Sequence, residues 1–124
     1  MKAKDKVYYY EIKIDFHKYK LEQKCEEYTV LGVNDLNLVI NDREFTAIKR
    51  KKRYRGDKET LFNETVVYDS KFGMYWDEIV AYLYTSTTSK KIAYRRLKKA
   101  LEKFIYDKHG RYCNAIAFLD KIEI

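Results

Sequence analysis

Residues 7–20 alternate between apolar and polar side chains, and this alternation constrains the fold more than any other feature of the sequence. Tyr8, Tyr10, Ile12 and Ile14 share one parity, and charged residues occupy the other parity from position 11 to position 15. Because successive side chains of a strand point to opposite faces, such a segment has one buried and one solvated face. The pattern therefore predicts a long strand with one face against a hydrophobic core.

Further short runs rich in β-branched and aromatic residues predict the remaining strands. Asn-Asp pairs separate the first of these runs, as in an antiparallel meander. One run, at 76–85, could also open as a short helix at Asp77, but its valine and tyrosine content favours a strand. Gly32 lies inside a strand pattern and predicts a bulge or a tight bend. The predicted strands cover residues 28–33, 36–40, 44–48, 61–68, 76–85 and 113–124.

The sequence predicts an amphipathic helix over residues 89–109. At 100° per residue, six apolar side chains fall in one stripe, and cationic side chains fall on the opposite side. The preceding Thr-Ser-Thr-Thr-Ser run supplies hydroxyl groups that can cap the first turn. The apolar stripe consists of Ala93, Leu97, Ala100, Leu101, Phe104 and Ile105.

These elements predict a single α+β domain over residues 1–124. A curved antiparallel sheet of five to seven strands would pack against one C-terminal amphipathic helix, followed by a final strand. The hydrophobic fraction of 46% and the aromatic fraction of 16% exclude a disordered chain. No apolar run approaches the length of a membrane helix or a secretory signal, and two cysteines do not make a disulfide scaffold. We therefore expect a cytoplasmic protein.

The net charge of +7 is concentrated in two segments. Residues 49–55 read KRKKRYR and carry +6, and residues 89–109 carry another +6, so that the rest of the chain is acidic. A body with two concentrated cationic segments is expected to attract a polyanionic partner. That partner would be a nucleic acid or an acidic protein surface, and base-specific readout is not indicated, because zinc-finger spacing and RNP-type motifs are missing.

Both cationic segments also have an ordinary structural interpretation. Lysines on an edge strand prevent sheet-to-sheet pairing, and a lysine-rich helix face can simply be solvated. However, a solvated face usually mixes both signs, and the first segment contains six cations without a carboxylate. The candidate residues for binding nucleic acid or a partner are Lys49, Arg50, Lys51, Lys52, Arg53, Tyr54, Arg55, Lys91, Arg95, Arg96, Lys98, Lys99 and Lys103.

Four residues are candidate ligands for a structural zinc ion: His17, Cys25, His109 and Cys113. A set of two cysteines and two histidines suits tetrahedral zinc, and His109 and Cys113 flank a tight turn at Gly110. The familiar spacings of zinc sites are missing, however. The alternative is that both cysteines are ordinary reduced thiols, and no cofactor is required.

The sequence favours a binding protein over an enzyme. It has neither a nucleophile elbow nor a glycine loop that could hold phosphate. Glu11-Ile12-Lys13 resembles the Glu-x-Lys tripeptide of some metal-dependent nucleases, but only Asp5 precedes it, which is too close for their upstream aspartate. We expect Asp69, Asp77 and Glu78 to be strand-end and surface carboxylates rather than an acid–base pair.

In its size, its α+β pattern, its lack of catalytic motifs and its AT-rich residue usage, the chain resembles small proteins from phages and mobile elements, anti-CRISPR proteins included. It has no proline and thirteen tyrosines. The resemblance implies an inhibitor that binds a CRISPR nuclease complex and blocks its DNA binding or cleavage. Because many such inhibitors are acidic DNA mimics, this basic chain would instead engage guide RNA, bound DNA or an acidic protein face. Either a monomer or a dimer fits the sequence.

Overall fold

Six strands form one curved, half-barrel antiparallel sheet in the order β4-β3-β2-β1-β6-β5. The structure is a computed structural model that describes residues 2–16, 18–42, 44–50, 61–72, 75–108 and 115–124. The α+β class and the curved sheet agree with the sequence-based prediction. The elements are β1 (Lys6–Asp15), β2 (Lys20–Val33), β3 (Asn37–Asp42), β4 (Glu44–Lys49), β5 (Val66–Phe72), β6 (Tyr75–Thr85), α1 (Lys90–Asp107) and α2 (Ile116–Leu119).

Strand β1 lies at the centre of the sheet, between β2 and β6. Tyr10 is paired with Cys25 on one side and with Leu83 on the other, so these three side chains share a face. The same face carries Ile12 and Ile14, and both are fully buried. The predicted alternation of β1 is therefore confirmed, and its apolar parity faces the helices.

Helix α1 lies on this face, which we call the helix face of the sheet. Four side chains of α1 are completely or almost completely buried there: Ala93, Leu97, Leu101 and Ile105. They pack into one core with the apolar residues of β1 and β6. The predicted apolar stripe thus fixes which side of α1 faces the protein, and the opposite side faces water.

A second hydrophobic cluster lies on the other face of the sheet, where β2, β3 and β4 meet the start of β1. The register shifts between Val30 and Gly32, which confirms the predicted irregularity at this glycine. Val7 and Val30 are buried in this cluster together with Ile40. The sheet therefore has its main core on the helix face and a smaller one on the other face.

The ends of three strands differ from the sequence-based prediction. Strand β1 ends at Asp15, whereas the predicted strand extended to about residue 20. Strand β2 begins at Lys20, eight residues earlier than predicted, because polar Gln23 lies between apolar Leu21 and Cys25 on the helix face, and the sequence there shows little alternation. Strand β5 begins at Val66, whereas the prediction began at residue 61. Residues 62–65 are a turn and extended chain, and Asn63 adopts a φ of 63°, which a strand cannot contain.

The prediction of a final strand over residues 113–124 is wrong for the residues that the structure describes there. The described part of that range, residues 115–124, contains the short helix α2. Its buried residues are Ala115, Phe118, Leu119 and Ile122, at helical spacing, and they complete the core under α1. A short apolar run does not distinguish a strand from a buried helical turn, which explains the error.

The boundaries of α1 agree closely with the predicted 89–109. Ser89 is the N-cap, and its hydroxyl accepts a hydrogen bond from the Ile92 amide at 3.3 Å. The helix ends at Asp107, and the Lys108 amide donates to the Ile105 carbonyl at 3.3 Å. Gly110, the predicted terminating residue, lies outside the described residues.

Candidate nucleic-acid interface

The outward side of α1 carries a line of exposed cations. Arg95, Lys99 and Lys103 are each four residues apart, which places them on one side of the helix at a rise of about 6 Å per step. All three are exposed. We call these three residues the cationic row.

The cationic row has no carboxylate partner within the part of the chain that the structure describes. The two ion pairs found there are Lys13–Glu78 and Lys24–Glu26, both on the sheet. Helix α1 contains seven basic and two acidic residues, and both carboxylates lie beside the row, because Glu102 follows Lys99 by three residues and Asp107 follows Lys103 by four. Neither carboxylate forms an ion pair with the row among the described residues, so its three cations stay available to an external anion.

The other predicted cations of α1 have different surroundings. Lys91 is exposed in the first turn, whereas Lys98 is partly buried on the flank that Lys91 shares. Two lysines open the helix at positions 90 and 91, where the macrodipole favours anions. Their placement costs some helix stability, which is consistent with a role for these cations outside folding.

Arg96 holds the helix to the chain that precedes β5. Its Nη1 donates to Asn63 Oδ1 at 2.9 Å, and its Nη2 donates to the Asn63 carbonyl at 2.8 Å. Asn63 Oδ1 also accepts from Thr85 Oγ1 at 2.9 Å, at the end of β6. Arg96, one of the predicted binding residues, therefore has a structural role, and its guanidinium is already occupied.

The described part of the 49–55 segment is its first two residues. Lys49 is buried, with 8% of its surface exposed, and its carbonyl accepts from the Phe62 amide at 2.8 Å. Arg50 is exposed, but its Nη1 donates to the Asn34 carbonyl at 2.7 Å. Neither side chain is a free surface cation. The remaining residues of the segment lie outside the described residues: Lys51, Lys52, Arg53, Tyr54 and Arg55.

The start of the 49–55 segment and helix α1 are connected through one short stretch of chain. Lys49 forms a parallel bridge with Leu61, so residue 61 lies beside the end of β4. Two residues later, Asn63 accepts the hydrogen bonds of Arg96. These contacts bring the origin of the first cationic segment next to the helix that carries the second.

The structure describes one of the four candidate zinc ligands. Cys25 lies half-buried on the helix face of β2, opposite Tyr10, where it packs against the main core. His17, His109 and Cys113 lie outside the described residues. Within the described ranges, no three His, Cys, Asp or Glu side chains are grouped so that they could hold a metal ion. The zinc site stays a prediction that metal analysis of the purified protein can test.

The face of the sheet opposite α1 carries a cluster of tyrosines that the sequence analysis did not identify. We call Tyr9, Tyr68, Tyr82 and Tyr84 the tyrosine cluster. The ring centroids of Tyr9 and Tyr84 are 4.8 Å apart, and those of Tyr68 and Tyr82 are 6.0 Å apart. Such tilted and edge-on contacts are favourable for aromatic rings. The cluster gives this face a large surface that is both apolar and able to form hydrogen bonds.

Charged residues beside the tyrosine cluster are paired within the sheet. The Tyr9 hydroxyl donates to Glu11 Oε1 at 2.6 Å, and burial together with this bond raises the pKa of Tyr9 well above its ordinary value. Lys13 Nζ lies 3.5 Å from Glu78 Oε2, and this carboxylate raises the pKa of Lys13. The nuclease-like Glu11 and Lys13 are therefore members of a hydrogen-bonded surface.

Parity along β1 and β6 shows which tyrosines share a face of their own strand, but not that the tyrosines of the two strands lie together. Tyr9 occupies the polar parity of β1, and Tyr82 and Tyr84 alternate with the buried Ala81 and Leu83. The missing information was that β1 and β6 are neighbours, with Tyr9 opposite Tyr84. Strand order in a sheet is not encoded in the periodicity of either strand, so the grouping could not be predicted.

No protein-family model, curated protein or solved structure matches this chain. In the part of the chain that the structure describes, no helix is both long enough and apolar enough to cross a membrane.

Proposed function

We propose that this protein is a non-catalytic nucleic-acid-binding protein that acts in the cytoplasm and is encoded by a phage or mobile element. The observation that carries the proposal is the exposed cationic row of α1, which lacks ion-pair partners among the described residues. Lysine and arginine side chains that neutralise phosphates release condensed counterions, and this release drives binding without regard to sequence. The row therefore suits contacts to the backbone of a nucleic acid.

The connection between α1 and the base of the 49–55 segment supports a shared binding side. Arg96 of α1 donates a hydrogen bond to Asn63, and Leu61, two residues before Asn63, forms a bridge with Lys49. The proposal extends to the cations from Lys51 to Arg55, which follow directly from Arg50 in the sequence. Both segments would then contact one nucleic acid.

The test is a binding titration of the wild-type protein with labelled single-stranded and duplex oligonucleotides at several salt concentrations. We expect the logarithm of the association constant to fall linearly with the logarithm of the salt concentration, with a slope of about −2 to −5. A weak or salt-insensitive interaction would contradict the proposal.

The tyrosine cluster favours a second candidate function, an anti-CRISPR-type inhibitor that binds a CRISPR nuclease complex. Tyrosine is enriched in protein–protein interfaces, and Tyr68 exposes 44% of its surface. This candidate becomes the better one if the wild-type protein binds no free oligonucleotide yet blocks DNA cleavage by a purified RNA-guided nuclease.

A further inference from the structure

The cationic row continues into two exposed non-polar side chains, one at each end. Ile92 precedes Arg95 by three residues, and Tyr106 follows Lys103 by three residues, so all five side chains lie on the outward side of α1. Ile92 exposes 54% of its surface, and Tyr106 exposes 63%. Among the residues that the structure describes, Tyr106 has neither a ring contact nor a side-chain hydrogen bond. Burial in the core therefore does not explain this aromatic residue.

We infer that the outward side of α1 binds single-stranded nucleic acid, with Tyr106 as a platform on which a base stacks. This inference rests on the proposed function and narrows its ligand class. Proteins that bind single strands combine cations that follow the backbone with aromatic side chains that stack on the bases. Arg95, Lys99 and Lys103 supply the first part, and Tyr106 supplies the second.

A duplex can use only part of this surface. Its phosphates can contact the cationic row, but its bases are already stacked on one another and cannot reach an aromatic ring on a helix face. In a single strand the base faces are accessible, and stacking on one aromatic side chain strengthens binding by roughly tenfold or more. The distance from Arg95 to Tyr106 is about 17 Å along the axis of α1, which is enough for several nucleotides. The surface therefore prefers a single strand.

The experiment compares the wild-type protein with Tyr106→Leu, using three labelled probes of equal length. The probes are an oligothymidine, an oligouridine and a mixed-sequence duplex, each of about 12 units, which lies within the usual range of single-strand sites. We expect Tyr106→Leu to weaken binding of both single strands roughly tenfold and to change duplex binding less than twofold. Tyr106→Trp keeps a stacking surface and should restore single-strand binding.

The matched control is Tyr19→Leu. Tyr19 is 64% exposed, nearly the same as Tyr106, but it contacts the Phe118 ring and lies outside α1. This variant should bind all three probes as the wild type does. Equal effects of Tyr106→Leu on single strands and duplex, or no effect on either, would overturn the stacking inference and leave salt-sensitive nucleic-acid binding in place. Failure of the wild type to bind any probe would overturn the proposed function as well.

Discussion

Replacing Arg95, Lys99 and Lys103 together by glutamine is expected to weaken nucleic-acid binding by about 100-fold at moderate salt. The three side chains form the cationic row, and each contact that neutralises a phosphate adds about 0.7 to 0.9 to the magnitude of the salt slope. The slope should therefore become shallower by about 2 to 3. Fluorescence anisotropy over a series of salt concentrations measures both quantities.

A second triple variant tests whether binding depends on where the positive charges lie or only on how many there are. Lys4, Lys20 and Lys24 are exposed, and the register of β2 places Lys20 and Lys24 on the sheet face opposite α1. Their replacement by glutamine removes the same amount of charge from the +7 of the wild type. We expect this control to bind with nearly the wild-type slope. Equal losses in the two triple variants would show that net charge alone governs binding.

Leu97→Ala is expected to destabilise the protein by about 2 to 5 kcal/mol. Leu97 is fully buried where α1 packs on the helix face of the sheet, and its truncation removes apolar contacts and leaves a cavity. Since small domains are commonly stable by only about 5 to 15 kcal/mol, this change is a large part of the total. Denaturant unfolding followed by circular dichroism gives the free energy.

Ile92→Ala is the matched control for this stability measurement, because Ile92 lies on the same helix but is 54% exposed. We expect a change of less than about 0.5 kcal/mol there. If Leu97→Ala cost no more than Ile92→Ala, α1 would not pack on the sheet through the stripe described above.

The elements whose apolar residues recur with one clear period, that of a strand or that of a helix, could be predicted from the sequence. Strand β1 has a clean alternation, and α1 has an apolar stripe with a serine cap, so both elements could be predicted, although β1 ends at Asp15 and not near residue 20. The first half of β2 could not be predicted, because polar Gln23 interrupts the apolar positions Leu21 and Cys25 on its core-facing side. Tertiary pairing with β1, rather than local pattern, makes that segment a strand.

The candidate site was only partly predictable for a related reason. Charge can be counted along the chain, so the cations of α1 were found. Which cations are free depends on tertiary contacts: Arg96 is held by Asn63, and Lys49 is buried beside Leu61. Exposure of Tyr106 likewise follows only once the buried side of α1 is known.

The most direct test of the central claim is a map of backbone amide NMR shifts during titration with a single-stranded oligonucleotide. We expect the largest shift changes along α1 between Lys91 and Tyr106, and we expect them to become smaller as salt is added. Largest changes at Tyr9, Tyr82 and Tyr84 on the opposite face of the sheet, or no changes along α1, would contradict this claim.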